Sequence, residues 1–202
     1  MENTIDLSVT RCEWNLKDIL LTRYHDEEWG EPLHDERMLF EFLALDGMQA
    51  GLSWNTILRK RENFRQAFDN FEIEVVAGYG DTKIQELLAN PGIVRNKAKI
   101  NAIIHNANRI LETRQEFGSL DDYLWRFTGG KTIQNSWQTI SQIPATSPIS
   151  DAMSKDMVAR GFKFCGSTIL YAFMQAAGMV NDHFVSCYRY KELFKCNCSV
   201  NQ

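Results

Sequence analysis

The sequence predicts an all-α fold, and two observations carry that prediction. Apolar residues recur at helical spacing in one segment after another, and the segments are bounded by glycine, proline or a polar capping residue. The chain has 202 residues, 44 % of them hydrophobic, enough for one domain or two small lobes. No repeat period, low-complexity tract or long linker divides it.

The first thirty residues read as irregular but are dense in Trp, Tyr, His and Cys, in Cys12-Glu-Trp14 and Tyr24-His-Asp-Glu-Glu-Trp-Gly30. Glu36 to Leu45 follow as a helix with Leu39, Phe40, Phe42 and Leu43 on a broad apolar face. Trp54, Ile57, Leu58, Phe64 and Phe68 mark a second helix, with Ser53 as its N-cap. Between them Asp46-Gly-Met-Gln-Ala-Gly-Leu-Ser-Trp54 reads as a tight corner at Gly47 and Gly51, where a carboxylate, an amide and an aromatic converge. An ordinary corner with Trp54 in the core fits the same residues.

Asp81 reads as the cap of a short helix burying Ile84, Leu87 and Leu88, which Asn90-Pro91-Gly92 must end. Ile93 to Ile100 lead into a long amphipathic helix with Ile100, Ile103, Ile104, Ala107, Ile110 and Leu111 on one face. A helix, a glycine-containing turn and a helix with basic residues at its mouth can aim backbone N–H groups at a phosphate. Gly118-Ser119 precede a helix from Leu120 to Phe127 that Gly129-Gly130 stop. Ile143 to Ile149 read as the connection between lobes, Ser150 as the cap of a helix reaching Gly161, and Ser167 to Ala177 as a central helix broken by Gly178.

A net charge of −4 and a pI near 5.6 argue against a protein that coats nucleic acid through bulk charge. Two basic clusters, Arg59-Lys-Arg61 with Arg65 and Arg95-Asn-Lys97-Ala-Lys99, leave room for local contact, or for plain solvated helix faces. No apolar run approaches the roughly 20 residues of a membrane span, and Met1-Glu-Asn-Thr-Ile-Asp lacks the features of a signal peptide, so an intracellular, cytoplasmic location is expected. Five cysteines then read as thiols or metal ligands, not a disulfide framework. His183 and Cys187, four apart, would share a helix face. With Cys12 and His25 they make a Cys2His2 set suited to tetrahedral zinc, although spacing alone leaves buried, unligated side chains open. Four protein ligands would make such a site structural. Cys196 and Cys198 read as surface thiols.

Cys12-x-Trp14, Tyr24-His-Asp-x-Glu-Trp-Gly30, Gln49-Ala-Gly-Leu-Ser-Trp54, Arg160-Gly-Phe-Lys-Phe164 and Val180-Asn-Asp-His183-x-x-x-Cys187 occur together and in order. From Cys12 to Cys187 the chain resembles the DNA-3-methyladenine glycosylase I family of bacterial base-excision enzymes. The resemblance implies a helix–hairpin–helix glycosylase fold, with residues 1–30 and 150–202 forming a zinc-binding lobe and residues 31–149 a helical lobe. It implies one structural zinc on Cys12, His25, His183 and Cys187. Trp14, Tyr24, Asp46 and Trp54 match the base pocket, and Leu52 the apolar residue presented at the DNA gap. Asn90 to Lys99 match a DNA-anchoring hairpin, with Gly92, Arg95 and Lys97 as its contacts. The implied activity is hydrolysis of the N-glycosidic bond of 3-methyladenine in alkylated double-stranded DNA, releasing the free base, by a monomer. Two departures stand out: Asp46 replaces the family's glutamate at the position assigned to catalysis as well as base binding, and Ala98 replaces a glycine. A DNA-damage binder without activity and a zinc hydrolase are the competing classes; the aromatic set argues against the first and the saturated ligand set against the second.

Overall fold

Residues 8–15 and 18–198 of the computed structural model are described here, and most of them are helical. After a 3-10 turn at Glu13–Asn15 come α1 (Ile19–Glu27), α2 (Glu36–Gln49), α3 (Trp54–Ala67), α4 (Ile73–Ala77), α5 (Asp81–Ala89), α6 (Lys97–Phe117), α7 (Leu120–Trp125), α8 (Pro148–Ala159), α9 (Ser167–Ala176) and α10 (Tyr188–Cys198). The all-α expectation holds apart from one pair of two-residue parallel strands, β1 (Ile133–Gln134) and β2 (Val180–Asn181), with Ile133 opposite Val180. Just before β2, Gly178 lets the backbone of Glu31 and Pro32 approach closely. Its φ is +66°, and a Cβ there would stand 2.3 Å from the carbonyl carbon of Glu31, so only glycine fits that approach.

The centre of the molecule is α2. Asp35 caps it by accepting from the Met38 N–H at 2.8 Å, and every residue from Leu39 to Met48 is buried. A helix apolar around most of its circumference is surrounded on all sides, and the two carboxylates it carries, Glu41 and Asp46, are buried with it. It packs against α9, which is equally apolar and is backed by α8; α6 carries α4 and α7 on its other faces. The apolar face expected for the long helix is the one α6 buries, with Leu111 at its margin.

Several local expectations need correction. The N-terminal segment is not irregular throughout: α1, capped by the Asp18 carboxylate at the Leu20 N–H (2.9 Å), holds Tyr24 and His25 inward. Gly47 lies within α2 and does not turn the chain; the corner is made by Gly51 alone, with φ +80°. Asp81 is the first helical residue of α5, behind Gly80, and of its apolar residues Leu87 alone is fully buried. Ser147 caps α8, because Pro148 fits the first helical position, where no N–H is needed, and Ser150 completes the capping box. His183 and Cys187 share a tight turn, closed by the Cys187 N–H on the Phe184 carbonyl at 2.7 Å, and not a helix. The side chains of Cys196 and Cys198 lie outside the described residues.

Candidate functional site

The corner after α2 is fixed from two directions. Ser53 caps α3 by accepting from the Thr56 N–H at 3.2 Å, as its sequence position predicts. From α6 the buried Lys99 ammonium donates to the carbonyls of Met48 (2.9 Å) and Ala50 (2.6 Å), the last turn of α2, where unsatisfied carbonyls favour a cation. Leu52 stands at the tip, 42 % exposed. Large apolar side chains at that exposure are few among the described residues, and this one sits in a turn closed by its own N–H on the Gln49 carbonyl at 2.6 Å.

Beside the corner opens a cavity of about 300 Å³, at the small end of the ligand-site range. Its walls include Trp14, Tyr24, Trp29, Asp46 and Trp54. All four residues matched to the base pocket are therefore brought together, from the 3-10 turn, α1, α2 and α3. The Tyr24 and Trp54 rings lie 5.3 Å apart between centroids, and Trp14 meets Trp29 edge-on at 4.9 Å. Aromatic walls of this kind suit a flat heterocycle.

Two buried polar atoms of the cavity walls are unpaired. Asp46 is 4 % exposed, yet its Oδ2 has no hydrogen-bond partner, and the buried Trp54 Nε1–H has none either. Burial alone, with no cation beside it, pushes the Asp46 carboxyl well above the ordinary range. Burial, and then the Asp46 and Glu28 carboxylates, likewise push up the Tyr24 hydroxyl. Buried orphans on one cavity are what a missing ligand with matching donors and acceptors would satisfy.

On the far side of α1 and Trp29, Cys12, His25, His183 and Cys187 converge. All four are buried, and their ligand atoms lie within 4.8 Å of one another, a group that could hold a metal ion. His183 Nδ1 is 3.1 Å from His25 Nε2 and 3.6 Å from the Cys187 sulfur, and Cys12 Sγ is 3.7 Å from His183 Nδ1. The other ring nitrogens are already committed: His25 Nδ1 to Asp26 at 2.8 Å and His183 Nε2 to the Trp29 carbonyl at 2.9 Å, which orients the inward nitrogens as acceptors. Hydrogen bonding from the Cys12 thiol holds the Cys187 thiol far below its ordinary range.

The turn between α5 and α6 is built by its asparagines. Asn90 Oδ1 accepts from the Gly92 N–H at 2.8 Å, and Asn96 caps α6 at the Lys99 N–H (3.1 Å). Lys60 of α3 clamps the Pro91 and Gly92 carbonyls, while Arg95 and Lys97 project into solvent. Ala98 is an exposed residue of the first turn of α6 with ordinary helical backbone, so the missing glycine costs the turn nothing. Arg95 differs from every other arginine among the described residues: the rest each hold an ion pair with a carboxylate, and Arg95 holds none.

A match to the methyladenine glycosylase family model spans residues 14–190. The chain belongs to that family. It is 45 % identical over 177 residues to DNA-3-methyladenine glycosylase 1 of Escherichia coli (strain K12), a match covering 88 % of this chain and 95 % of the relative. To the DNA-3-methyladenine glycosylase of Haemophilus influenzae it is 40 % identical, covering 88 % and 96 %. Among solved structures, a crystal structure of 3-methyladenine DNA glycosylase I superposes with a TM-score of 0.86 at 45 % identity, over 89 % of this chain and 98 % of the other. The Staphylococcus aureus 3-methyladenine DNA glycosylase I, whose structural study concerns 3-methyladenine recognition, superposes at 0.85 with 36 % identity, covering 88 % and 95 %.

Against this methyladenine glycosylase frame, the residues that sequence reasoning missed come from far along the chain. Ile140, Ile143, Ala172 and Gln175 line the cavity with Gln49 and Trp29. Gln49 and Trp29 lay inside matched motifs and had a signal. Ile143 read only as part of a connection, and nothing local marks a lone isoleucine as a cavity wall. Gln175 is aimed by its Nε2–H, which donates to Asp182 at 2.8 Å, a contact that no spacing encodes.

Proposed function

We propose that this protein is a monofunctional DNA-3-methyladenine glycosylase of base-excision repair, hydrolysing the N-glycosidic bond of 3-methyladenine in double-stranded DNA and releasing the free base. The observation that carries the reading is the unpartnered, buried Asp46 carboxylate facing an aromatic-walled cavity of one-base size. A glycosidic bond inside a stacked duplex is out of reach, so the damaged nucleotide must be extruded, at a cost of a few kcal/mol. Leu52, held out at the corner, fills the gap left behind. In the cavity the base stacks on Trp14 or Trp54, whose electron-rich faces favour a cationic alkylated purine over a neutral one.

Asp46 and the Tyr24 hydroxyl bond the edge of the base. A positive charge arriving in the cavity also reverses the penalty on Asp46, because the carboxylate is disfavoured there only by burial. N3-alkylation makes the base a good leaving group, since it departs neutral while the sugar develops oxocarbenium character, so preorganised electrostatics can supply most of the acceleration. Asp46 is one methylene shorter than glutamate, and a water or a small backbone shift spans the difference.

Residues 90–99 act as the helix–hairpin–helix DNA anchor, with Arg95 and Lys97 on phosphates and Gly92 allowing the close turn. Cys12, His25, His183 and Cys187 hold one structural zinc. Zinc bonds of about 2.0–2.1 Å to nitrogen and 2.3 Å to sulfur, arranged tetrahedrally, place ligand atoms roughly 3.3–3.8 Å apart; four of the six separations here, 3.1–3.7 Å, are close to that range, and all six lie within 4.8 Å. When bound, the ion ties residues 1–30 to residues 150–202 as one lobe beside the helical lobe of residues 31–149, and supplies no chemistry to the cavity. The reading is of a monomer.

The test is release of free 3-methyladenine from methylated duplex DNA. Release at a rate above the spontaneous one, with strands left uncut, is expected; binding of methylated DNA without release would leave a damage-binding protein instead. Metal analysis of the purified protein should give one zinc per chain, and its absence without chelator exposure would refute the assignment.

A further inference from the structure

Four described residues other than glycine have left-handed backbone: Asp69 (φ 48°), Asn70 (55°), Phe71 (59°) and Phe164 (53°). An aromatic residue pays for that conformation and keeps it only where its surroundings demand it. For Phe71 the offset is plain: the residue is fully buried and its ring stacks on Phe68, 5.6 Å between centroids and 4° from parallel. Phe164 has no stacked partner of that kind. It is 38 % exposed, with no aromatic ring packed on it among the described residues. Even so its loop is held on every side. His105 Nε2 meets the Gly161 carbonyl at 2.8 Å, and Ser154 donates to the Cys165 carbonyl at 2.8 Å. Asn106 clamps Lys163 twice, donating to its carbonyl (2.9 Å) and accepting from its N–H (2.8 Å). Four side-chain hydrogen bonds hold the loop that keeps this ring at the surface.

Its position gives the ring a use. Phe164 sits against the flank of α2, its Cβ 3.5 Å from where a side chain on Gly47 would begin, one turn before the corner that carries Leu52. With Lys163 it lines an open groove whose other wall is the start of α6, at Ala98, Asn101, Ala102 and His105. That wall continues from Arg95 and Lys97, and Lys163, like both of them, has no carboxylate partner. An exposed aromatic beside Lys163, on the groove wall that begins at Arg95 and Lys97, complements a polyanion with flat apolar faces even on a protein of net charge −4.

We propose that Phe164 and Lys163 form a second contact with double-stranded DNA, the ring packing on the base-pair stack beside the gap and the ammonium neutralising a backbone phosphate. The proposal rests on the reading of the Leu52 corner and the hairpin as the DNA face. Phe164→Gly is the informative variant, since glycine adopts the left-handed backbone freely. Binding is measured to a duplex carrying an abasic-site analogue and, separately, to free 3-methyladenine. Phe164→Gly should weaken duplex binding by about 5- to 150-fold, the range for loss of one stacked aromatic, with free-base affinity unchanged and the melting temperature equal or higher. Lys163→Met should lower the salt slope of duplex binding by about 1. Unchanged duplex affinity in Phe164→Gly, while Arg95→Ala weakens it, would overturn this contact and leave the hairpin reading standing. Unchanged affinity in both would overturn the DNA face itself. A drop in melting temperature together with free-base affinity would make Phe164 a packing residue and also refute the proposal.

Discussion

Two carboxylates on α2, five residues apart and both buried, have opposite fates. Glu41, 0 % exposed, accepts from Arg61 at 2.5 Å, Arg65 at 3.0 Å and Arg37 at 3.1 Å, and Arg61 reaches on to Glu28 at 2.6 Å. Burial pushes its carboxyl up, but the Arg61 and Arg65 charges outweigh that and hold it below the ordinary range. Asp46 meets no cation and no donor, and burial alone pushes it up. Burial by itself therefore says nothing about function; the partners do. Glu41 belongs to the scaffold, and it consumes the basic cluster of α3. Arg59 is used as well, on Asp18. On the hairpin, Lys99 is used on the Met48 and Ala50 carbonyls, whereas the exposed Arg95 and Lys97 have no acidic partner among the described residues.

The largest expected effect is at Glu41. Glu41→Gln removes the buried charge shared by Arg37, Arg61 and Arg65, leaving Arg61 only the half-buried Glu28, and should cost about 3–5 kcal/mol, the range for breaking one side of a buried pair, read from denaturant unfolding. A loss under about 1 kcal/mol would mean that water reaches the network and would erase the contrast with Asp46.

Asp46→Asn should act in the other direction on stability and cripple the site. Loss of a charged acceptor is worth about 1.5–3 kcal/mol, so affinity for free 3-methyladenine should fall by roughly 10- to 150-fold, whereas Asp46→Glu should retain activity. Unchanged affinity and excision rate in folded Asp46→Asn would remove the carboxylate from recognition.

The two groups also predict opposite pH dependences. The folded protein holds Asp46 above its unfolded value of 3.8, so its contribution is fully present below that pH and is lost as pH rises through the folded value. The melting temperature of Asp46→Asn should thus match wild type in acid and exceed it increasingly toward neutrality. Glu41, held below 4.5, gives stability that is present above that pH and lost as pH falls through its folded value. A gap between Asp46→Asn and wild type that narrows with rising pH would reverse the sign assigned to Asp46.

Smaller effects separate the basic clusters and the corner. Arg95→Ala should reduce the salt slope of duplex binding by about 1 and leave stability within about 0.5 kcal/mol; Arg59→Ala should leave the slope alone. Equal slopes in the two variants would mean that the ion pairs of α3 open on DNA. Leu52→Ala should weaken action on duplex DNA and spare affinity for the free base, and equal losses in both would place Leu52 inside the cavity.

The sequence by itself determined the helices and their apolar faces, because period and capping are local properties: α2, α3, α6 and α9 fall where spacing puts them, and Ser53 caps where it should. It also determined the cavity residues Trp14, Tyr24, Asp46 and Trp54 and the Cys12, His25, His183 and Cys187 group, through ordered motifs. Tertiary structure alone decided what is free and what is spent. Arg61 and Arg95 are alike in sequence, each a basic residue in a basic cluster, but a carboxylate twenty residues away from Arg61 lies within reach and none lies near Arg95. The turn that unites His183 with Cys187, Gln175 at the cavity wall and the exposed ring of Phe164 were equally hidden, since each depends on distances between segments far apart in the chain, and charge pairing, desolvation and exposure exist only once those distances are set.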